Sequence, residues 1–404
     1  ELPTYQRAIL NFTIPSGLLQ GAYNEGKALD LYADFPAEFI VKRDKDGNWC
    51  KWNGTAYESL ITGLNGSVWC MAEGPDGKIY VGGTFTDAGG DTDADKLARW
   101  NPITEKWEKV GNSLLNGAVL AITFDANGDL YIGGRFTDCG GTTDADYIAK
   151  CTDPSGSAIW SAVGSGIEET GAVATTTVQS IEIGPDGVIY IGGNFTTASG
   201  NTDCNHIAKF NSATSTWEPL STGLSSEVYS LKFAPNGDLY IGGAFTNATT
   251  DSLGDYLCYW DGSKFNQVGN VELNGVVRYL EFDAWGKLYV GGAFTNAGSV
   301  ANADYIAAWN GSSWIALSTG TNGEVRKIFY VYPSGLIVAG AFTTAGGLTL
   351  TDRVAVWNNG AWQPLDVDLP GSAAVYSVLP ASDGSLYIGG AFSTAGETPD
   401  VNAE

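Results

Sequence analysis

The chain has 404 residues, of which 45 are acidic and 21 basic, for a net charge of −24. A surface of that sign repels phosphate backbones and excludes nucleic acid as a partner; no apolar run approaches the length of about 18 residues that a membrane-spanning helix needs. Hydrophobic residues at 44% and aromatics at 12% are ample for a packed core, and the 54 glycines recur at turn positions, the composition of many short strands.

The chain opens on Glu1 rather than Met, so an N-terminal segment is expected to have been removed or left out. Residues 1–38 match nothing that follows. Positions 8–14 read as a strand stopped by Pro15, Ser16 and Gly17. The stretch is expected to be an extension, either lying on the rest of the molecule or docking it to another subunit.

From residue 39 a repeat takes over, entered halfway through its unit. Its most constant phrase is Leu239-Tyr240-Ile241-Gly242-Gly243-Ala244-Phe245-Thr246, which recurs at 79–86, 130–137, 189–196 and 288–295, with a degenerate copy at 336–343 and a last one at 386–393. The seven copies are spaced by 48 to 59 residues, the period of a repeat architecture. Each unit reads as four strands. In the fourth unit, strand a is 228–233, with period-2 alternation. A Pro-Asn-Gly turn, whose Gly supplies a positive φ, leads into the constant phrase as strand b. A polar loop leads to strand c at 256–260, and Asp261-Gly262 turns the chain into strand d around Phe265.

The last unit carries only strands a and b, whereas c-like and d-like segments occur early, at 48–52 and 56–60. The expected fold is therefore all-β: a seven-bladed β-propeller over 39–404, of four-stranded antiparallel blades, with the N-terminal strands completing the C-terminal blade. Such closure would leave no free sheet edge. The Gly pair in strand b lets neighbouring blades approach without Cβ clashes. The Phe that follows, and the aromatics at Trp107, Trp160, Trp217, Trp314 and Trp362, are expected to pack between sheets.

The phrase at 76–85, followed by Leu97-Ala98-Arg99-Trp100-Asn101, resembles the propeller repeats of large bacterial surface and phage-associated proteins. It is similar to delta-60-type repeats and, more loosely, to kelch-like ones. The resemblance covers 39–396 and implies a binding or structural module; no catalytic residue comes with it. The kelch pattern proper is not matched, because the Gly pair here follows Tyr-Ile inside a strand.

Candidate chemistry lies in the loops between strands b and c, which share a face with the d–a loops. Asp87, Asp91, Asp93 and Asp95 alternate along the first of them and offer hard oxygen ligands for calcium; the alternative is a solvated loop whose aspartates cap turns. The second such loop holds Asp138, Asp144 and Asp146. Six cysteines (Cys50, Cys70, Cys139, Cys151, Cys204 and Cys258) show no CxxC spacing, which argues against zinc. Cys139 and Cys204 open and close loops on one face of adjacent units and are a candidate disulfide; Cys50 and Cys70 are a second across the ring closure. Cys151 and Cys258 read as small buried thiols.

His206, the single histidine, occupies a variable slot shared with Lys96, Tyr147, Tyr256 and Tyr305, and reads as structural. Glu182 and Glu281 lie on inner strands of the third and fifth units, where glycan chemistry near the channel would need converging carboxylates; the alternative is that they point at the axis as solvated residues, and no catalytic motif accompanies them. Asn11, Asn53, Asn65, Asn247 and Asn310 sit in N-x-[ST] sequons. The expected function is that of an extracellular, cell-surface or virion-exposed binding module, not an enzyme, recognising a surface glycan or a protein through its b–c/d–a loop face. The alternatives are a structural subunit of a filament, capsid or surface layer docked through 1–38, with homotypic assembly, and a propeller glycosidase or lyase. No cofactor is expected apart from calcium.

Overall fold

The computed structural model describes the strands Ile9–Thr13, Val41–Arg43, Trp49–Trp52 and Tyr57–Ser59, and most of residues 63–391; within the latter, 169–175, 249–253, 271, 333–334, 350, 352, 366–373 and 383–384 are not described. Side chains are described only within 63–391, Glu168 excepted.

The repeat units fold as four-stranded antiparallel blades, each in the order a-b-c-d from the axis outward. Blade 1 runs from Val68–Glu73 to Lys106–Lys109 and blade 2 from Val119–Phe124 to Ile159–Ala162. Blade 3 runs from Thr177–Ile183 to Thr216–Pro219 and blade 4 from Val228–Phe233 to Phe265–Gln267. Blade 5 runs from Val277–Phe282 to Trp314–Ala316 and blade 6 from Val325–Val331 to Ala361–Pro364. Each inner strand packs on the next around an axis.

Among the described residues there are six such blades, not the seven expected from the repeat count. The final a–b hairpin, Ala374–Pro380 with Ser385–Ala391, packs between blades 6 and 1 but, among the described residues, gains no c and d strands of the repeat. The segments expected to supply them, Trp49–Trp52 and Tyr57–Ser59, pair instead with Val41–Arg43 in a separate three-stranded sheet. The outer edge of Ser385–Ala391 is taken by Ile9–Thr13, antiparallel, with Ile9 opposite Gly389 and Thr13 opposite Ser385. Part of the stretch read as an extension is thus built into a three-stranded closing sheet. The physical reason is that an exposed edge accepts any extended segment with free amides and carbonyls. A c-like sequence cannot specify which edge it will join.

The constant phrase explains how the blades stack. A Cβ on Gly242 would lie 2.4 Å from Cγ1 of Val277 in the next blade, and one on Gly243 would lie 2.2 Å from the Glu227 carbonyl oxygen. The closing sheet makes the same contact, since a Cβ on Gly389 would lie 2.4 Å from Val68 Cγ1. Phe85, Phe136, Phe195, Phe245, Phe294 and Phe342 are fully buried between sheets, as their place in the repeat predicts. In five blades the outer-strand aromatic leans on a strand-c aromatic, as Trp314 does on Trp309, with ring centroids 5.4 Å apart.

Candidate functional site at the channel mouth

Every inner strand carries a buried valine at its first or second residue, Val68, Val119, Val178, Val228, Val277, Val325 and Val375, and the first six lie against a strand-b glycine of the preceding sheet. Immediately after it the pairing register with strand b slips by one residue, in all six blades and in the closing sheet. A bulge of this kind bends the strand and re-aims the extra side chain. The bulged residue stands at the end of strand a where the d–a and b–c loops emerge. The repeat does not fix this residue: it is Leu120 and Gln179 in blades 2 and 3, then Tyr229, Arg278, Arg326, Tyr376 and Trp69.

Those last five form a continuous stacked arc. The Trp69 and Tyr376 rings lie parallel, with centroids 4.2 Å apart. The Arg326 guanidinium covers the Tyr376 ring at 4.8 Å, and Arg278 covers Tyr229 at 4.3 Å. Glu324 joins the two halves by accepting from Arg278 Nε at 2.7 Å and Arg326 Nε at 2.8 Å. Burial works against the Glu324 charge, but the two guanidiniums outweigh it and hold the carboxyl below its ordinary value. The Tyr229 hydroxyl donates to Glu227, and Trp69 remains 38% exposed. In a chain of net charge −24, an arc carrying two arginines is a local departure.

One step deeper, the inner strands put polar side chains into the channel. Ser180 Oγ accepts from Leu231 N at 3.0 Å, Ser230 Oγ from Leu280 N at 3.1 Å and Glu182 Oε1 from Phe233 N at 3.2 Å. These amides face the axis on a strand edge with no ladder partner, so side chains from the preceding blade satisfy them. Lys232 Nζ lies 3.5 Å from Glu281 Oε1, and Lys327 Nζ sits 4.1 Å over the Tyr279 ring. Burial raises both Glu182 and Glu281 above the usual carboxylate range, against the pull of Lys232. Burial likewise lowers Lys327, to about 8. Lys232 is held above its ordinary value: its own burial is outweighed by Glu281, Tyr279 and Glu182 around it. The structure therefore brings Glu182 and Glu281 to one charge cluster, with a lysine beside them.

The remaining candidates fare differently. The four aspartates of the first b–c loop do not converge: Asp87 accepts from Gly90 N, Asp91 from Asp93 N, and Asp93 and Asp95 pair with Lys109 and Lys96. Among the described residues no group of three or more His, Cys, Asp or Glu side chains is placed to hold a metal. The carboxylates are spent on the turns and neighbouring lysines of their own loop. Cys139 and Cys204 are free buried thiols, not a disulfide, because each lies inside a different interblade layer, Cys139 beside Cys151 and Trp160, Cys204 beside Ala198 and Trp217. Cys70, Cys151 and Cys258 are also free and buried, and Cys50 lies outside the described side chains.

His206 is buried in a slot with a fixed backbone task. Lys96, Tyr147, His206, Tyr256, Tyr305 and Arg353 all have φ between 61 and 65°. In each blade this residue's amide donates to the carbonyl of the buried Phe, and its carbonyl accepts from the last residue of strand b, as in His206 N to Phe195 O at 2.9 Å. Burial pushes the His206 pKa down, against the Gly193 carbonyl 3.2 Å from Nδ1 and the charge of Glu227.

The sequon at Asn65 is part of a clamp. Its side chain accepts from Thr86 N at 2.7 Å and donates to Thr86 Oγ1 at 3.0 Å, and Asn116, Asn274 and Asn322 do the same in other blades without a following Ser or Thr. Asn310 caps the c–d turn through Oδ1, and Asn247 N donates to Asp255. Asn11 and Asn53 have no described side chain. What the sequence reading missed is the arc; its signal was the run of aromatic and arginine residues in the column after the constant valine.

A sequence profile described as the Rax2 C-terminal beta propeller domain matches residues 51–147 and 168–256. No curated protein sequence matches the chain. Several solved structures are similar at low identity. They include YCF48 bound to D1 peptide, at 15% identity and TM-score 0.48 over 80% of this chain and 92% of that one. The WD40 β-propeller domain of Doa1 is similar at 15% and 0.49 over 83% and 93%, and a streptogramin B lyase at 14% and 0.43 over 75% and 83%. Sheet order, repeat and profile agree: the chain is a β-propeller repeat protein, similar over those two stretches to the Rax2 C-terminal propeller domain.

Proposed function

We propose that this propeller is a non-enzymatic binding module, exposed at a cell or virion surface, that takes a protein partner at the channel mouth of its d–a/b–c face. The observation that carries the reading is the arc from Trp69 through Tyr376, Arg326 and Arg278 to Tyr229, built at the bulged position of strand a. Trp, Tyr and Arg are the residues that dominate protein interfaces energetically. A protein partner is favoured over a glycan here because the ring faces are largely covered by one another or by guanidiniums. What the arc offers is ring edges, the partly exposed Trp69 and the guanidinium N–H groups that Glu324 leaves uncovered. The acidic surface, poor in basic residues, supports the exposed location.

The test is a selection from a displayed peptide library and an array of surface glycans, followed by titration of the selected ligands. Trp69→Ala and Arg326→Ala are each expected to weaken a selected peptide by about tenfold or more. Selection of glycans alone, or of peptides that bind both variants as well as the parent, would overturn the reading.

A further inference from the structure

The face opposite the mouth carries the a–b turns, and one of them breaks its pattern. The second turn residue is Asp76, Asn127, Asp186 and Asn236 in blades 1 to 4, and Trp285 in blade 5. The turn does not need it: Asp283 Oδ1 accepts from Trp285 N at 3.0 Å and from Lys287 N at 2.9 Å, the arrangement Asp125 makes in blade 2. Nor does the core, because Trp285 is 74% exposed. In blade 6, Tyr332 stands where the other units place Pro75, Ala126, Pro185, Pro235, Ala284 and Ser382, and is 59% exposed. These two departures from the repeat meet in space. The Trp285 and Tyr332 rings lie 6.0 Å apart at 53°, and Tyr330 closes the base of the group at 6.3 Å from Trp285.

We propose that Trp285 and Tyr332 form a carbohydrate-binding platform, taking the C–H face of a pyranose ring against the indole. Three features select a sugar. Trp285 is 74% exposed and, among the described residues, no ring is stacked flat on it, so an indole face is open, unlike the arc at the mouth. The patch is two side chains wide, far below the roughly 800 Å² per partner that a stable protein interface covers. A donor stands at the same turn, the Lys287 ammonium, 40% exposed and 3.9 Å from the buried Asp283 carboxylate, able to serve a ring hydroxyl. The site lies across the molecule from the mouth and does not depend on what binds there.

The experiment titrates the full chain with cellohexaose, laminarihexaose, xylohexaose and chitohexaose, read by isothermal calorimetry and tryptophan emission. At least one is expected to bind with a dissociation constant below about 1 mM, and Trp285→Asn to weaken it about tenfold or more. The asparagine is the residue that blades 2 and 4 carry at this turn, so the variant keeps the fold, which an unchanged melting temperature checks. Tyr332→Ala is expected to weaken binding less, since it supplies one wall. The proposal is overturned if none of the four sugars binds, if Trp285→Asn binds as the parent does, or if sedimentation shows a parent dimer that Trp285→Asn abolishes, which would make a second copy the occupant.

Discussion

At the scale of single residues, the repeat is enforced by contacts that leave no room for substitution. Gly242→Ala places a methyl 2.4 Å from Val277 Cγ1, so it is expected to cost about 1–3 kcal/mol, seen as a lower denaturation midpoint with the slope unchanged. Lys327 makes a prediction of the opposite kind. Burial lowers its folded pKa to about 8 from an ordinary 10.5, against the pull of Glu281. Between those values the unfolded chain holds more protons than the folded one, so this group makes stability rise with pH across the window. The buried thiols, all pushed upward by burial, pull the other way above the ordinary thiol value. Four of them do so equally in Lys327→Met; Cys70 also loses the Lys327 charge that draws its thiol down, which adds to the same trend. The stability gap between Lys327→Met and the parent is therefore expected to shrink from pH 8 toward pH 10, as measured by urea midpoints of both proteins. A gap independent of pH would show that the amine titrates normally.

At the scale of elements, the mouth face is rigid because each d–a loop is tied to its b–c loop. Asn274 Oδ1 accepts from Thr295 N at 2.8 Å and its amide donates to Thr295 Oγ1 at 2.9 Å. Two net hydrogen bonds at about 1 kcal/mol each put the cost of Asn274→Ala at about 1–2 kcal/mol, readable as a fall in melting temperature. Asn274→Ser is expected to recover part of it, because Ser225 plays the same part in blade 4, bonding Thr246 N and O at 2.9 and 2.7 Å. This clamp also explains why the Asn65 sequon is ambiguous in sequence: the amide that would carry a glycan already donates to Thr86.

At the scale of the whole molecule, the ring is completed by chain ends. The edge of Ser385–Ala391 is covered only by Ile9–Thr13 among the described strands. Removing residues 1–13 is expected to lower the melting temperature and to bring concentration-dependent association in light scattering, since an uncovered edge pairs with other chains. A shortened protein that melts and scatters as the full chain does would show that the first strand is dispensable for closure. The mouth arc belongs to this scale as well. Its five side chains come from four blades and the closing sheet, so no unit contains it and only the closed ring assembles it.

The sequence by itself determined the propeller, the strand order within a blade, the glycines at interblade contacts and the buried Phe column. Each of these is written into every unit and enforced by local spacing and by contact with an identical neighbour. It also marked His206 as structural, because four other units read as filling the same slot with unrelated residues. Only the tertiary structure decided the rest. Blade number and ring closure depend on which strand reaches a free edge, and backbone pairing carries no side-chain signature, so 49–59 and 9–13 could not be ranked beforehand. The aspartates of the first loop and the Cys139–Cys204 pair failed for the same reason: nearness along a face is not convergence, and whether side chains meet is set by the layers between blades. Conversely, Trp69 and Tyr376, some 300 residues apart in the chain, stack only because the ring closes.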